Sequence, residues 1–206
     1  MPNYRRAIVP GGTFFFTVVS WQRRPVLCHP DIRAALRAAI MSVRGTHPIT
    51  INAWVLLPDH LHCVWTLPDG DADFSVRWAM IKRFVTRRIT GSGNGAWNAP
   101  YGKAVDAWNA PCGKADDAWN ARYRESSRLK RHEGGLWQRR FWEHRVRDQA
   151  DLNRCQDYLH WNPVKHRHVS RVADWPFSTF HRFACKGYYP RDWGGQGVDD
   201  AGVFGE

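Results

Sequence analysis

The sequence predicts an α+β fold: a ferredoxin-like antiparallel sheet with helices on one face, plus a C-terminal helix that carries a tyrosine. Three observations predict it. Short β-branched and aromatic runs alternate with segments of helical period in the order β-α-β-β-α-β-α. A Pro58-Asp59 pair separates the second and third runs, as a tight antiparallel turn requires. The last long helical segment opens on Asp148 and Gln149 and contains Tyr158.

Thr13 to Ser20 (TFFFTVVS) is a β-branched and aromatic run and forms the first strand. Pro30 and Asp31 open a helix whose apolar face is Ile32, Leu36, Ala39, Ile40 and Val43, with Gly45 to end it. Ile49 to Leu57 is the second strand and His60 to Leu67 the third. Asp73 to Ile89 is a second helix, apolar at Phe74, Trp78, Ile81, Phe84 and Val85, and basic towards its end. Leu136 to Val146 alternates apolar and polar residues and reads as a fourth strand. The helix from Asp148 and Gln149 runs to about Trp161, and Pro163 is placed to open another.

Between the second helix and the fourth strand the composition changes. GSGNG is a linker, and it precedes an eleven-residue repeat, AWNAPYGKAVD then AWNAPCGKADD, followed by a degraded copy. So few short units cannot build a solenoid, which leaves a duplicated surface insertion or a Trp-bearing arm that contacts nucleic acid. The expected organisation is one domain over residues 1–187, interrupted by an insertion at about 91–128, with a loose tail over 188–206.

Lys and Arg number 30 against 19 Asp and Glu, a formal charge of +11, which points to a polyanionic partner. Twelve Trp and ten Phe accompany these cations, a mixture suited to stacked bases and phosphates as well as to an aromatic core. The five cysteines form no CxxC pair, which excludes a zinc ribbon and a regular disulfide framework and suggests reduced thiols. No apolar signal core or long apolar run occurs, so a cytoplasmic protein without a membrane segment is expected.

Two groups of residues carry chemistry. In His60-Leu61-His62, alternation along a strand puts both imidazoles on one face and Leu61 in the core. Such a pair can hold a divalent ion with positions open to a substrate oxygen, or be a satisfied structural pair. Pro58-Asp59 places the start of that strand at the sheet's edge. In Tyr158-Leu159-His160-Trp161-Asn162, the tyrosine and the asparagine stand at i and i+4, on one helix face. A phenol attacks only a phosphate that is held in line with its charge offset, which a metal with an oxygen ligand from the same helix would provide. A capping Asn162 ahead of Pro163, beside an ordinary amphipathic tyrosine, fits the same spacing.

Together these groups resemble the HUH single-tyrosine transposases, and specifically the REP-associated tyrosine transposases of bacteria. Four blocks carry the resemblance in order: NAWVLLPDHLHCVWTLPDGDADFSVRW, GGLWQRRFWEHRVRD, DYLHWNPVKH and RVADWPFSTFHR. It covers most of residues 4 to 193, the repeat insertion excepted. The resemblance implies that His60 and His62 are metal ligands, Asn162 the third ligand and Tyr158 the nucleophile. It also implies Mg²⁺ or Mn²⁺ as the metal and single-stranded DNA with hairpin-forming palindromic repeats as the partner. The activity implied is cleavage and rejoining through a 5′-phosphotyrosine.

Candidate DNA contacts are Arg5 and Arg6 near the start, Lys82, Arg83, Arg87 and Arg88 on the second helix, and Arg139 and Arg140 in the QRRFW block. Two other readings remain at this stage. One is a non-catalytic binder of structured single-stranded DNA or RNA, derived from a transposase. The other is a hydrolase in which water attacks and Tyr158 only positions substrate.

Overall fold

The computed structural model describes residues 8–90 and 135–195. Arg5, Arg6, the repeat insertion and the end of the expected tail lie outside the described residues.

Four strands form one antiparallel sheet: β1 (Thr13–Val19), β2 (Thr50–Leu56), β3 (His60–Thr66) and β4 (Trp142–Arg145), in the order β2-β3-β1-β4. Between them run α1 (Pro30–Thr46) and α2 (Phe74–Thr90), and after them α3 (Gln149–Lys165) and α4 (Phe180–Cys185). This is the expected ferredoxin-like arrangement. The interior strands β1 and β3 are buried on both faces, which is why Thr13 to Ser20 is a nearly unbroken apolar run.

The two faces have different partners. Phe14, Phe16, Val18, Leu61, Cys63 and Trp65 pack with the apolar stripes of α1 and α2. Phe15, Val55 and Val64 face the other way and pack with Cys155, Tyr158 and Leu159 of α3. The α1–α2 side is strongly aromatic, and Trp65 and Trp78 stack there at 4.3 Å between ring centroids. Trp54, Trp65, Trp78 and Trp137 are all buried, so these four tryptophans serve the core and cannot stack on bases. A buried arginine, Arg77, ties the start of α2 to the α1–β2 connection through Asp71 and the carbonyls of Asp73, His47 and Pro48.

Three local expectations differ from the fold. The run Leu136 to Val146 is not one strand. Trp137 bridges Ser20 and Trp142 pairs with Thr17, so this side of the ladder carries two more residues than β1 does and bulges over 139–141. Arg139 and Arg140, adjacent cations, are both exposed in that bulge. Pro163 opens no new helix; α3 continues through it to Lys165. A proline so close to the end removes one bond, that to the Leu159 carbonyl, and the turn closes with His166 N–H donating to the Asn162 carbonyl at 3.0 Å. Finally, in the first part of the expected loose tail, Tyr189 and Trp193 pack while their neighbours Pro190, Arg191 and Asp192 stay exposed. Tyr189 donates to Asp157 at 2.6 Å and lies 4.7 Å from the Trp193 ring.

Candidate active site

The β2–β3 turn closes with Leu57 N–H donating to the His60 carbonyl at 2.8 Å, which makes His60 the first residue of β3. β3 is an interior strand, so this start lies at the end of the sheet and not on an edge strand. Alternation then aims His60 and His62 at α3 and Leu61 at the opposite core. On α3, Asp151, Cys155, Tyr158 and Asn162 are spaced by four, three and four residues, and all are buried, so this is the face turned to the sheet.

Strand and helix bring the four expected residues together. The Asn162 Oδ1 lies 3.3 Å from His60 Nε2. The Tyr158 ring centroid is 5.5 Å from that of His62, and the two imidazoles are 4.8 Å apart. Phe15 lies beside both His62 and Tyr158, at 5.3 and 6.1 Å, and spaces strand from helix. His60, His62, Tyr158 and Asn162 are each at most 1% exposed.

Each imidazole is held through its Nδ1. The His60 Nδ1 is 2.7 Å from Asp59 Oδ1, and the His62 Nδ1 is 2.9 Å from Thr17 Oγ1. Burial works to raise the Asp59 carboxyl, but the hydrogen bonds and charges of His60 and Arg23 outweigh it and hold the group at about 2. Asp59 is therefore a carboxylate, an acceptor only, and His60 must carry its proton on Nδ1. In the neutral ring, Nε2 then presents a lone pair towards the Asn162 oxygen, which is also an acceptor. A protonated His60 would instead donate from Nε2 to that oxygen, so the pair can close as a hydrogen bond or, with the ring neutral, converge on a cation. The donor set, imidazole nitrogen with amide oxygen, suits a divalent ion of the Mg²⁺ or Mn²⁺ kind in the presence of water ligands.

A second cluster, His144, Asp151 and Cys155, has ligand atoms within 4.8 Å of one another. It reads as a clamp between β4 and α3. Asp151 already accepts from His144 at 2.9 Å, from the Arg147 N–H at 3.0 Å and from Arg154 at 3.2 Å. Burial, with the Asp151 charge beside it, pushes the Cys155 thiol up to about 12.

The candidate DNA contacts are dispersed. Arg83, Arg87 and Arg88 are exposed on α2, across the sheet from Tyr158. Lys82 donates to the Gln138 carbonyl at 2.9 Å and lies over the Phe141 ring, securing the segment ahead of β4. Arg140 shares a cleft with Thr17 and Trp142, beside the anchor of His62.

Four neighbours of the site were not singled out from the sequence: Asp59 and Thr17 on the imidazoles, Lys165 on the Tyr158 hydroxyl at 3.0 Å, and His166 with its ring 5.0 Å from His60. Helical spacing could have found the last two, since Lys165 is i+7 from Tyr158 and His166 is i+4 from Asn162. Thr17 is visible only once β1 is paired with β3, where it stands opposite His62.

No protein-family model matches the chain. It is 41% identical over 199 residues to the REP-associated tyrosine transposase of Escherichia coli (strain K12), covering 97% of this chain and 94% of that one. It is 36% identical over 195 residues to a putative REP-associated tyrosine transposase of Haemophilus influenzae, covering 95% and 94%. A solved structure of a REP-associated tyrosine transposase bound to a REP hairpin superposes with a TM-score of 0.70 at 39% identity, covering 97% of this chain and 94% of that one. Among the described residues no helix is long and apolar enough to cross a membrane.

Proposed function

The chain belongs to the REP-associated tyrosine transposases, a single-tyrosine enzyme family of the HUH type, and from that membership we propose that it cleaves and rejoins single-stranded DNA at hairpin-forming palindromic repeats. Tyr158 is the nucleophile in this reading, and a divalent ion, Mg²⁺ or Mn²⁺, is held by His60, His62 and Asn162. The observation that carries it is the approach of His60 Nε2 to Asn162 Oδ1 at 3.3 Å, with the Tyr158 ring packed on His62. The hairpin in the solved relative supports the choice of DNA.

When bound, the ion supplies Lewis-acid stabilisation to the charge that develops on the scissile phosphate. The chain's own residues do the rest. Asp59 and Thr17 fix both rings by Nδ1, so Nε2 is the nitrogen offered to the ion. Tyr158 and Asn162 are one turn apart on α3, so nucleophile and ligand move as one body. The Tyr158 oxygen forms a bond to phosphorus, the bond from phosphorus to the 3′-oxygen breaks, and the 3′-hydroxyl leaves. The 5′ end remains on the tyrosine. A second 3′-hydroxyl reverses the step and completes transfer without ATP, because one phosphoester is exchanged for another. Tyr158 is 1% exposed, so a phosphate reaches it only after the site opens.

The test is a single-stranded hairpin oligonucleotide incubated with the protein and Mn²⁺. The expected product is a denaturation-resistant protein–DNA adduct, lost in Tyr158→Phe and on chelation. Tight binding with no adduct would establish the non-catalytic binder. Free ends produced by Tyr158→Phe would establish the hydrolase. The same assay on a chain lacking about residues 91–128 examines the insertion, whose removal is expected to leave cleavage intact if one domain simply resumes beyond it.

A further inference from the structure

The Tyr158 oxygen has a cationic neighbour for which the scheme above has no role. Lys165, the last residue of α3, stands two turns along on the face of Tyr158, and its ammonium donates to the phenolic oxygen at 3.0 Å. The same nitrogen lies 4.9 Å from the ring centroid, so it sits towards the oxygen end of the ring. Helix formation does not ask for this geometry. A lysine in a last turn meets the helix dipole equally well when it points into solvent. An ammonium held this close to the phenolic oxygen acts directly on any charge placed there.

We propose that Lys165 is a catalytic residue of strand transfer, holding a fixed positive charge against the Tyr158 oxygen both when it attacks and when it leaves. The proposal rests on the reading of Tyr158 as the nucleophile. In the forward step the phenol gives its proton to water, its oxygen bonds to phosphorus, and the departing 3′-oxygen takes a proton from water. In the reverse step a 3′-hydroxyl loses its proton to water and bonds to phosphorus, and the phenolate leaves and is reprotonated. In both directions negative charge lies on the Tyr158 oxygen before or after the bond change. The Lys165 ammonium keeps its own proton throughout and offers the same hydrogen bond each time. This is the logic of an oxyanion donor applied to the nucleophile and leaving group, so adduct formation and rejoining should depend on it together.

The experiment measures single-turnover rates of adduct formation and of rejoining for the full chain on a single-stranded hairpin oligonucleotide with Mn²⁺. Wild type, Lys165→Met and Lys165→Arg are compared, with Tyr158→Phe as the blank. By analogy with loss of an oxyanion donor, Lys165→Met should slow both steps by about 100-fold at saturating DNA, with little change in the half-saturating DNA concentration. Lys165→Arg should recover most of the rate, since it keeps charge and donor. A packing defect at this position would depress the bulkier arginine as well, and thermal melting of each variant checks the fold directly. Unchanged rates in Lys165→Met, or a loss confined to DNA affinity, overturn the proposal and leave the tyrosine reading intact. A wild-type chain that forms no adduct overturns both.

Discussion

Asn162 Oδ1 stands 3.3 Å from Nε2 of His60, two side chains 102 positions apart in the sequence and both fully enclosed. With Asp59 holding a proton on Nδ1, a neutral His60 offers its Nε2 lone pair on the side of that oxygen. If a divalent ion joins them, removing the oxygen weakens the ion's hold and leaves the DNA surface alone. Asn162→Ala is expected to raise the Mn²⁺ concentration for half-maximal adduct formation by at least about 10-fold. Hairpin affinity in chelator, read by fluorescence anisotropy, should stay at the wild-type value. A variant with wild-type Mn²⁺ dependence would remove Asn162 from the ligand set.

The anchors of the imidazoles should matter almost as much as the ligands. Thr17→Val keeps the shape of the side chain and removes the oxygen on His62 Nδ1. Asp59→Asn keeps the reach to His60 but removes the charge that fixes its tautomer. Each is expected to cost about 10- to 100-fold in metal affinity. The check is isothermal titration with Mn²⁺ without DNA, which isolates the site from catalysis.

The convergence of His60, His62, Tyr158 and Asn162, the proposed site, was legible in part because the spacings are local: period two on a strand, period near four on a helix. The partners of those side chains were not. Thr17 reaches His62 only through the β1–β3 register, and no pattern within either segment announces that pairing. Pro163 misled for a related reason. Its local signal is a helix boundary, yet a proline so near the end of α3 sacrifices one bond while its ring is buried, and packing against the sheet decides the outcome. The strand expected over 136–146 failed at Arg139 and Arg140, where two adjacent cations cannot both avoid a buried face, so the chain bulges.

Acid should weaken the fold in a window set by His160. Burial first, then the nearby Arg182 and His181, lowers this imidazole to about 3, and its Nε2 is 2.9 Å from Thr179 Oγ1. A base whose folded value is depressed binds fewer protons folded than unfolded. Its contribution is complete above the unfolded value near 6.5 and is lost as pH falls from there towards about 3. By linkage the loss reaches about 2 kcal/mol at pH 5. Urea unfolding at pH 7 and pH 5 measures it. His160→Gln, which can still bond Thr179, should flatten the difference even if it lowers stability at both pH values. An undiminished difference in that variant would assign the pH dependence to other groups.

Which cations meet the DNA can be decided by the salt dependence of binding. If Tyr158 is the nucleophile, the phosphate must reach it between the sheet and α3, and Arg140 lines a cleft with Thr17 on that side. Arg87 and Arg88 lie on α2, behind the sheet. Each phosphate contact contributes a slope of about 0.9 (about 0.7 on a single strand) to the fall of log affinity with log salt. Arg140→Ala is therefore expected to reduce that slope by roughly one contact, with weakened binding to every hairpin sequence alike. Arg87→Ala with Arg88→Ala should leave the slope as it is. The reverse pattern, a flattened slope from the α2 pair and none from the bulge, would mean that the hairpin stem lies along the α1–α2 side and that only its single-stranded end turns the corner to the tyrosine.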